Sequence, residues 1–166
     1  MSNIPAGYPS TQPEAFQFLA NRKKLGIDDL KILALLEAAG ETFYLALAEA
    51  SANEEIKALL TRNGQEERGH AHRLLKAISL LGTEAYTLPA DAENPYILPM
   101  KLDGMLNKDF LAMIEKAEMD GDLTYQTWAD AEPNAEVAKL YRLNGSEETR
   151  HGQRVAQVKE LLSKMH

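Results

Sequence analysis

The sequence contains no cysteine at all. That excludes disulfides, iron–sulfur clusters, thiolate zinc sites and cysteine nucleophiles, and it suits a reducing compartment. No stretch approaches the ~18 uncharged apolar residues of a membrane span, and no basic start followed by an apolar run marks a signal peptide. A cytoplasmic protein is expected. Positive charge is also scarce: 18 Lys and Arg against 25 Asp and Glu give a net charge of −7, which makes nucleic acid and anionic membrane surfaces poor partners. Strand signals are nearly missing. With 166 residues the chain is long enough for one domain with a real core.

What is present is helical periodicity. Residues 1–13 carry Pro5, Pro9 and Pro13 and read as a flexible N-terminal arm. Residues 14–166 read as a single bundle. A short leading helix is expected over Glu14–Lys24, stopped at Gly26. Four long helices follow, over Ile27 to about Ser51, about Asn53 to Leu81, about Asp103 to Ala131, and about Asn134 to Lys164. Thr83 to Leu102 has Pro89, Pro95 and Pro99 and no helical period. A helix of about 28 residues is about 42 Å long, and an extended connector of about 20 residues can cross that length. The expected fold is therefore all-α: a ferritin-like antiparallel four-helix bundle with one long crossover between its second and third helices.

An internal repeat carries the functional reading. Shifted by 81 positions, Glu37–Arg73 matches Glu118–Arg154 without a gap at 14 of 37 positions. The matches include Glu37/Glu118, Gly40/Gly121, Tyr44/Tyr125, Asn63/Asn144, Gly64/Gly145, Glu66/Glu147, Glu67/Glu148, His70/His151 and Arg73/Arg154. A purely structural repeat should keep Leu and Ala, whereas this one keeps Glu, His and Tyr at fixed spacing. Glu67 and His70 are three apart and share a helix face, as do Glu148 and His151. Glu37 and Tyr44, seven apart, form a stripe that Glu118 and Tyr125 repeat. Turned inward, these stripes put four carboxylates and two imidazoles at the centre. Four carboxylates in a dry core repel one another and take up protons, whereas two divalent cations neutralise them. A Glu from each of two helices plus Glu-x-x-His from the other two is the ligand set of dinuclear iron or manganese bundles. A single Glu-x-x-His more often marks a solvated helix face, and Tyr44 or Tyr125 alone would pass for a core aromatic. The register of the two copies decides for the metal site.

At these residues the sequence resembles the rubrerythrin family of ferritin-like di-iron proteins. The resemblance rests on Glu37–Tyr44 (EAAGETFY), Glu66–His72 (EERGHAH), Glu118–Tyr125 (EMDGDLTY) and Glu147–His151 (EETRH). It implies two iron ions, with manganese or mixed occupancy as variants. Glu37 and His70 would bind one ion, Glu118 and His151 the other, with Glu67 and Glu148 bridging and Tyr44 and Tyr125 bonded to carboxylate ligands. It also implies reduction of hydrogen peroxide and a homodimer. The alternatives are an O₂-dependent di-iron monooxygenase, which needs an apolar substrate channel, and a ferroxidase that handles iron as ferritins do. Two features depart from the family pattern. Rubrerythrins carry a cysteine-ligated rubredoxin domain, so an external electron donor is expected for this cysteine-free chain. An extra family Glu three residues past the third-helix ligand is replaced by Gly121, leaving Glu115 or Asp122 as candidate substitutes. Glu66 and Glu147 are expected to face solvent or pair with Arg, His72 to lie at the surface and Trp128 to fill the core. Gly64 and Gly145 either leave room beside the metals or let helices approach.

Overall fold

The computed structural model describes residues 4–165 and is all-helical. The elements are α1 (Gln12–Ala20), α2 (Ile27–Glu49), α3 (Glu54–Leu81), α4 (Lys108–Ala131) and α5 (Ala135–Lys164), with a 3₁₀ turn at Asp91–Glu93 in the crossover. Their starts follow from capping chemistry. The Asn53 side chain accepts from the backbone N–H groups of Glu55 and Ile56, and Asn134 repeats this with Glu136 and Val137. At α2 the cap comes from inside the helix: Asp29 reaches back to accept from the Gly26 N–H at 2.8 Å.

Three boundaries differ from the sequence expectation, the first being the start of the leading helix at Gln12 instead of Glu14. The leading helix ends at Ala20, with Asn21 closing it through N–H bonds to Gln17 and Leu19 carbonyls. Helix α4 begins at Lys108 instead of about Asp103, because Gly104 turns with φ +77° and Asn107 caps the helix by accepting from the Phe110 N–H. The crossover accordingly runs over residues 82–107.

α2 packs along α3, α4 along α5, and α3 against α5. The α3–α5 pair is antiparallel, since Asn63 and Glu66 face Arg154 while Arg73 faces Asn144. α2 and α4 do not pack closely along their length; at one end Phe43 and Phe110 meet with ring centroids 6.1 Å apart. Two hydrophobic clusters result. One gathers Leu30, Leu35, Leu74, Tyr96, Trp128 and Tyr141, the other Leu47, Ile56, Leu60, Leu111, Val155 and Val158. Trp128 is thus a core residue, as its spacing suggested.

α2 is apolar on most of its surface, and such a helix must be covered. α1 lies on it, and the crossover wraps it: Asn94 donates to the Leu35 carbonyl at 2.9 Å, and the buried Tyr96 hydroxyl donates to the Pro9 carbonyl at 2.7 Å. Residues 4–11 are held against the same helix. The Tyr8 hydroxyl donates to Asp29 at 2.6 Å, and burial together with that carboxylate pushes the phenol pKa up to about 12. No helix among the described residues is long and apolar enough to cross a membrane.

Candidate metal centre

The repeat places equivalent side chains at the middle of all four long helices. Glu37 and Tyr44 come from α2, Glu67 and His70 from α3, Glu118 and Tyr125 from α4, Glu148 and His151 from α5. His70 and His151 are fully buried, and Glu37, Glu67 and Glu148 are nearly so. They form two groups close enough for one ion each: Glu37, Glu67, His70 and Glu148, and Glu67, Glu118, Glu148 and His151. Glu67 and Glu148 belong to both groups. The imidazole rings stack 5.1 Å apart at the centre.

The donor geometry tests whether a cation fits. Nδ1 of His70 lies 3.8 Å from Glu37, 3.5 Å from Glu67 and 3.4 Å from Glu148. Nδ1 of His151 lies 3.7 Å from Glu118 and 3.4 Å from both Glu67 and Glu148. None of these contacts has hydrogen-bond geometry, and all four imidazole nitrogens and Glu67 Oε2 are buried without a hydrogen-bond partner. Buried polar atoms are rarely left so. Nitrogen and oxygen lone pairs converging on a common point without bonding each other are what a divalent cation needs, and the residues fit two such ions.

The electrostatics agree. Burial and the neighbouring Glu37 charge raise the Glu67 pKa, and burial with Glu148 raises that of Glu118 well above the ordinary value. Burial works against charging either imidazole, yet the surrounding carboxylates outweigh it and raise both histidine pKa values. Without a cation the cluster gathers protons in its place.

Around this core each carboxylate is oriented across the bundle. The Tyr44 hydroxyl of α2 donates to Glu118 of α4 at 2.5 Å, and the Tyr125 hydroxyl of α4 donates to Glu37 of α2. Burial, reinforced by those carboxylates, lifts both phenol pKa values well above 10.0, so both remain donors near neutral pH. These exchanged bonds tie together the two helices that otherwise barely touch.

Glu66 and Glu147 do more than their sequence positions suggested. Both pair with Arg: Arg154 grips Glu66 with two bonds of 2.9 and 3.1 Å, and Arg73 reaches Glu147 at 2.7 Å. Each also faces the far nitrogen of the opposite helix's histidine, with Nε2 of His151 3.4 Å from Glu66 and Nε2 of His70 3.4 Å from Glu147. A carboxylate behind a ligating imidazole fixes its tautomer and raises its basicity. The contact with His70 and Arg73 holds Glu147 down to about 2 against the effect of burial, and His151 and Arg154 lower Glu66 as well. Asn63 and Asn144 complete the frame. Each accepts from an Arg and donates its amide to the backbone carbonyl of His151 or His70, at 3.2 and 3.3 Å. The signal was present in the repeat, which preserves Asn63/Asn144, Glu66/Glu147 and Arg73/Arg154 beside the six central residues.

Neither candidate for an extra carboxylate reaches the cluster. Glu115 is paired with Lys159, and Asp122 accepts from Thr149 at 2.5 Å and from Gln126 at 2.9 Å. The glycine alternatives also resolve. Gly64 sits against the Glu41 carbonyl and the Tyr44 Cβ of α2, so it serves close helix approach. The glycines beside the cluster are Gly40, where an added Cβ would come within 3.1 Å of the Glu67 carboxyl carbon, and its repeat partner Gly121, 3.7 Å from that of Glu148. His72 is exposed.

Residues 33–105 match the Rubrerythrin family model. No curated protein and no solved structure matches the chain. The matched stretch takes in α3 and most of α2, and with them Glu37, Glu67 and His70; the second copy of the repeat supplies Glu118, Glu148 and His151 to the same cluster. Over residues 33–105 the chain is thus similar to the Rubrerythrin family, and its helical architecture and clustered donors form a bundle whose centre can hold metal.

Proposed function

We propose that the protein is a di-iron redox enzyme that reduces peroxide with electrons from an external donor protein. The observation that carries this reading is the pair of four-residue groups sharing Glu67 and Glu148, with the Nδ1 atom of each histidine facing those carboxylates without a hydrogen bond. Glu37 and His70 would hold one ion, Glu118 and His151 the other, and Glu67 and Glu148 would bridge. When bound, an iron pair supplies two electrons and the positive charge that stabilises a developing hydroxide.

The chain's own groups do the rest. Four carboxylates balance two divalent cations. Tyr44 and Tyr125 hold the terminal carboxylates in place by donating to Glu118 and Glu37. Glu147 and Glu66 anchor the far sides of the imidazoles. The dry surround of Leu33, Leu36 and Tyr44 limits water at the reacting oxygen atoms. The peroxide preference over O₂ rests on the family likeness. Anaerobic loading with Fe(II), followed by stopped-flow mixing with hydrogen peroxide or with O₂, tests it. Two irons per chain and faster oxidation by peroxide are expected; clear preference for O₂ would overturn the peroxide reading.

A further inference from the structure

Between α2 and α4, where the helices do not pack closely, a cavity of about 490 Å³ runs down to the cluster. α1 closes one side, with Phe16 and Ala20 on its wall. Leu33, Leu36, Ile114 and Trp128 line the interior, and Glu37, Glu67, Glu118 and Glu148 form its floor. A volume of this size is that of a small-molecule site, whereas hydrogen peroxide is little larger than water and needs no such walls.

The lining also says what the occupant lacks. Apart from the exposed Gln17, the polar donors around the cavity are already engaged: Gln12 with the Tyr96 carbonyl, Thr124 with the Asp120 carbonyl, Trp128 with the Arg22 carbonyl, Tyr44 with Glu118 and Tyr125 with Glu37. A polar tail would lose its water and find no partner, which is costly. No Lys or Arg lines the cavity, and the four carboxylates already balance the cations, so nothing there would hold an anionic ligand. The cavity therefore suits a neutral molecule with an apolar body and a small reactive end.

We propose that this cavity receives the organic group of an alkyl or aryl hydroperoxide, whose O–O end reaches the carboxylate cluster. The proposal rests on the peroxide reading and names its substrate class. The reaction is ROOH + 2 e⁻ + 2 H⁺ → ROH + H₂O. The O–O bond breaks, the organic fragment leaves as the alcohol, the second oxygen leaves as water, the protons come from solvent, and the electrons come from the external one-electron donor protein by way of the site.

Trp128 is the only tryptophan in the chain and lines the cavity, so its emission reports occupancy without any turnover. Titrating the metal-loaded protein with cumyl alcohol, the product of cumene hydroperoxide, should give a saturable change in indole emission. Ala117→Phe and Ala20→Phe, on opposite walls, should each weaken that binding about tenfold. In stopped flow, cumene hydroperoxide should oxidise the reduced protein faster than hydrogen peroxide does, and both variants should lower the ratio of the two rates by about tenfold. A flat Trp128 response, with oxidation by hydrogen peroxide intact, would overturn the substrate class and leave the peroxide reading standing. The same flat response with a sizing profile showing a dimer that buries Phe16 would assign the cavity to a second copy. Cumyl alcohol binding with no oxidation by either peroxide, but O₂-dependent hydroxylation of cumene, would overturn both readings in favour of a monooxygenase.

Discussion

The two helix pairs carry the same inward residues yet differ sharply on their outer faces. In α2, thirteen residues are buried, from Asp29 to Ala48, because α1 and the crossover cover the helix from outside. In α4 only Leu111, Tyr125, Trp128 and Ala129 are buried, and Met113 and Leu123 stand 67% and 69% exposed. The difference reaches the cluster: the side chain of Glu118 is 12% exposed against 5% for Glu37. A duplicated and buried ligand set thus sits between one half covered from outside and one half whose outer helix face meets solvent. The family match, over residues 33–105, falls on the covered half. Inward chemistry and outer packing are separable in this fold.

The sharpest test of equivalence lies where the halves share residues. Glu67→Ala and Glu148→Ala should each abolish loading of both ions, because each carboxylate belongs to both groups. Glu37→Ala and Glu118→Ala should leave one ion bound. Metal analysis after Fe(II) loading reads all four, and unchanged stoichiometry in the first two variants would remove the dinuclear reading.

Outer packing should separate the halves next. Leu35→Ala, in the covered helix, should cost about 2–5 kcal/mol of unfolding free energy, whereas Leu123→Ala should stay within about 0.5 kcal/mol. Urea melts of the two variants measure the contrast, and equal losses would mean that α4 is covered in solution.

Behind the histidines the halves should again behave alike. Glu147→Gln and Glu66→Gln should each weaken metal binding by about 10–100-fold. The smaller loss is expected at Glu66, whose side chain is 21% exposed against 12% for Glu147. Competition with a chelator reads the affinities.

The smallest effect is in pH dependence. Raised pKa values at Glu67 and Glu118 mean that the folded metal-free chain holds protons the unfolded chain releases from about pH 4.5 upward. The raised histidine values extend this above 6.5. Stability of the metal-free protein therefore falls as pH rises through that window. Glu148, lowered by the facing Glu118 carboxyl and both imidazoles despite burial, offsets part of the slope. Metal replaces the protons and binds tighter as its ligands deprotonate. The gap in Tm between metal-loaded and chelated protein should be wider at pH 8 than at pH 5.5, and coincident melts would show that the carboxylates are not electrostatically coupled.

Much of this was legible in the sequence because period and repeat are local properties. Four long helices, the crossover and six central residues follow from spacing along the chain. The roles of Glu66 and Glu147 did not, since one residue's step around a helix turns the side chain away from its own metal-facing stripe. Only the crossing of α3 against α5 brings Glu66 to His151 and Glu147 to His70. The start of α4 was misplaced because Asp103 and Gly104 read as helix-compatible until the positive φ of Gly104 is seen. The cavity was invisible for a simpler reason: it is a gap between helices distant in sequence.

The Asn63 and Asn144 bonds have a mechanical consequence. By clamping the backbone of each histidine to the neighbouring helix, and by anchoring Arg154 and Arg73, they make α3 and α5 a stiff spine. α2 and α4 hang from that spine on either side, joined to each other at the cluster by two phenol bonds. The spine leaves two outer walls, each packed along one of its helices. Of these α2 is strapped down by the crossover and α4 is not. The bundle is therefore built like a vice with one strapped jaw and one unstrapped jaw, and the unstrapped jaw is the wall of the cavity that carries Ile114 and Trp128.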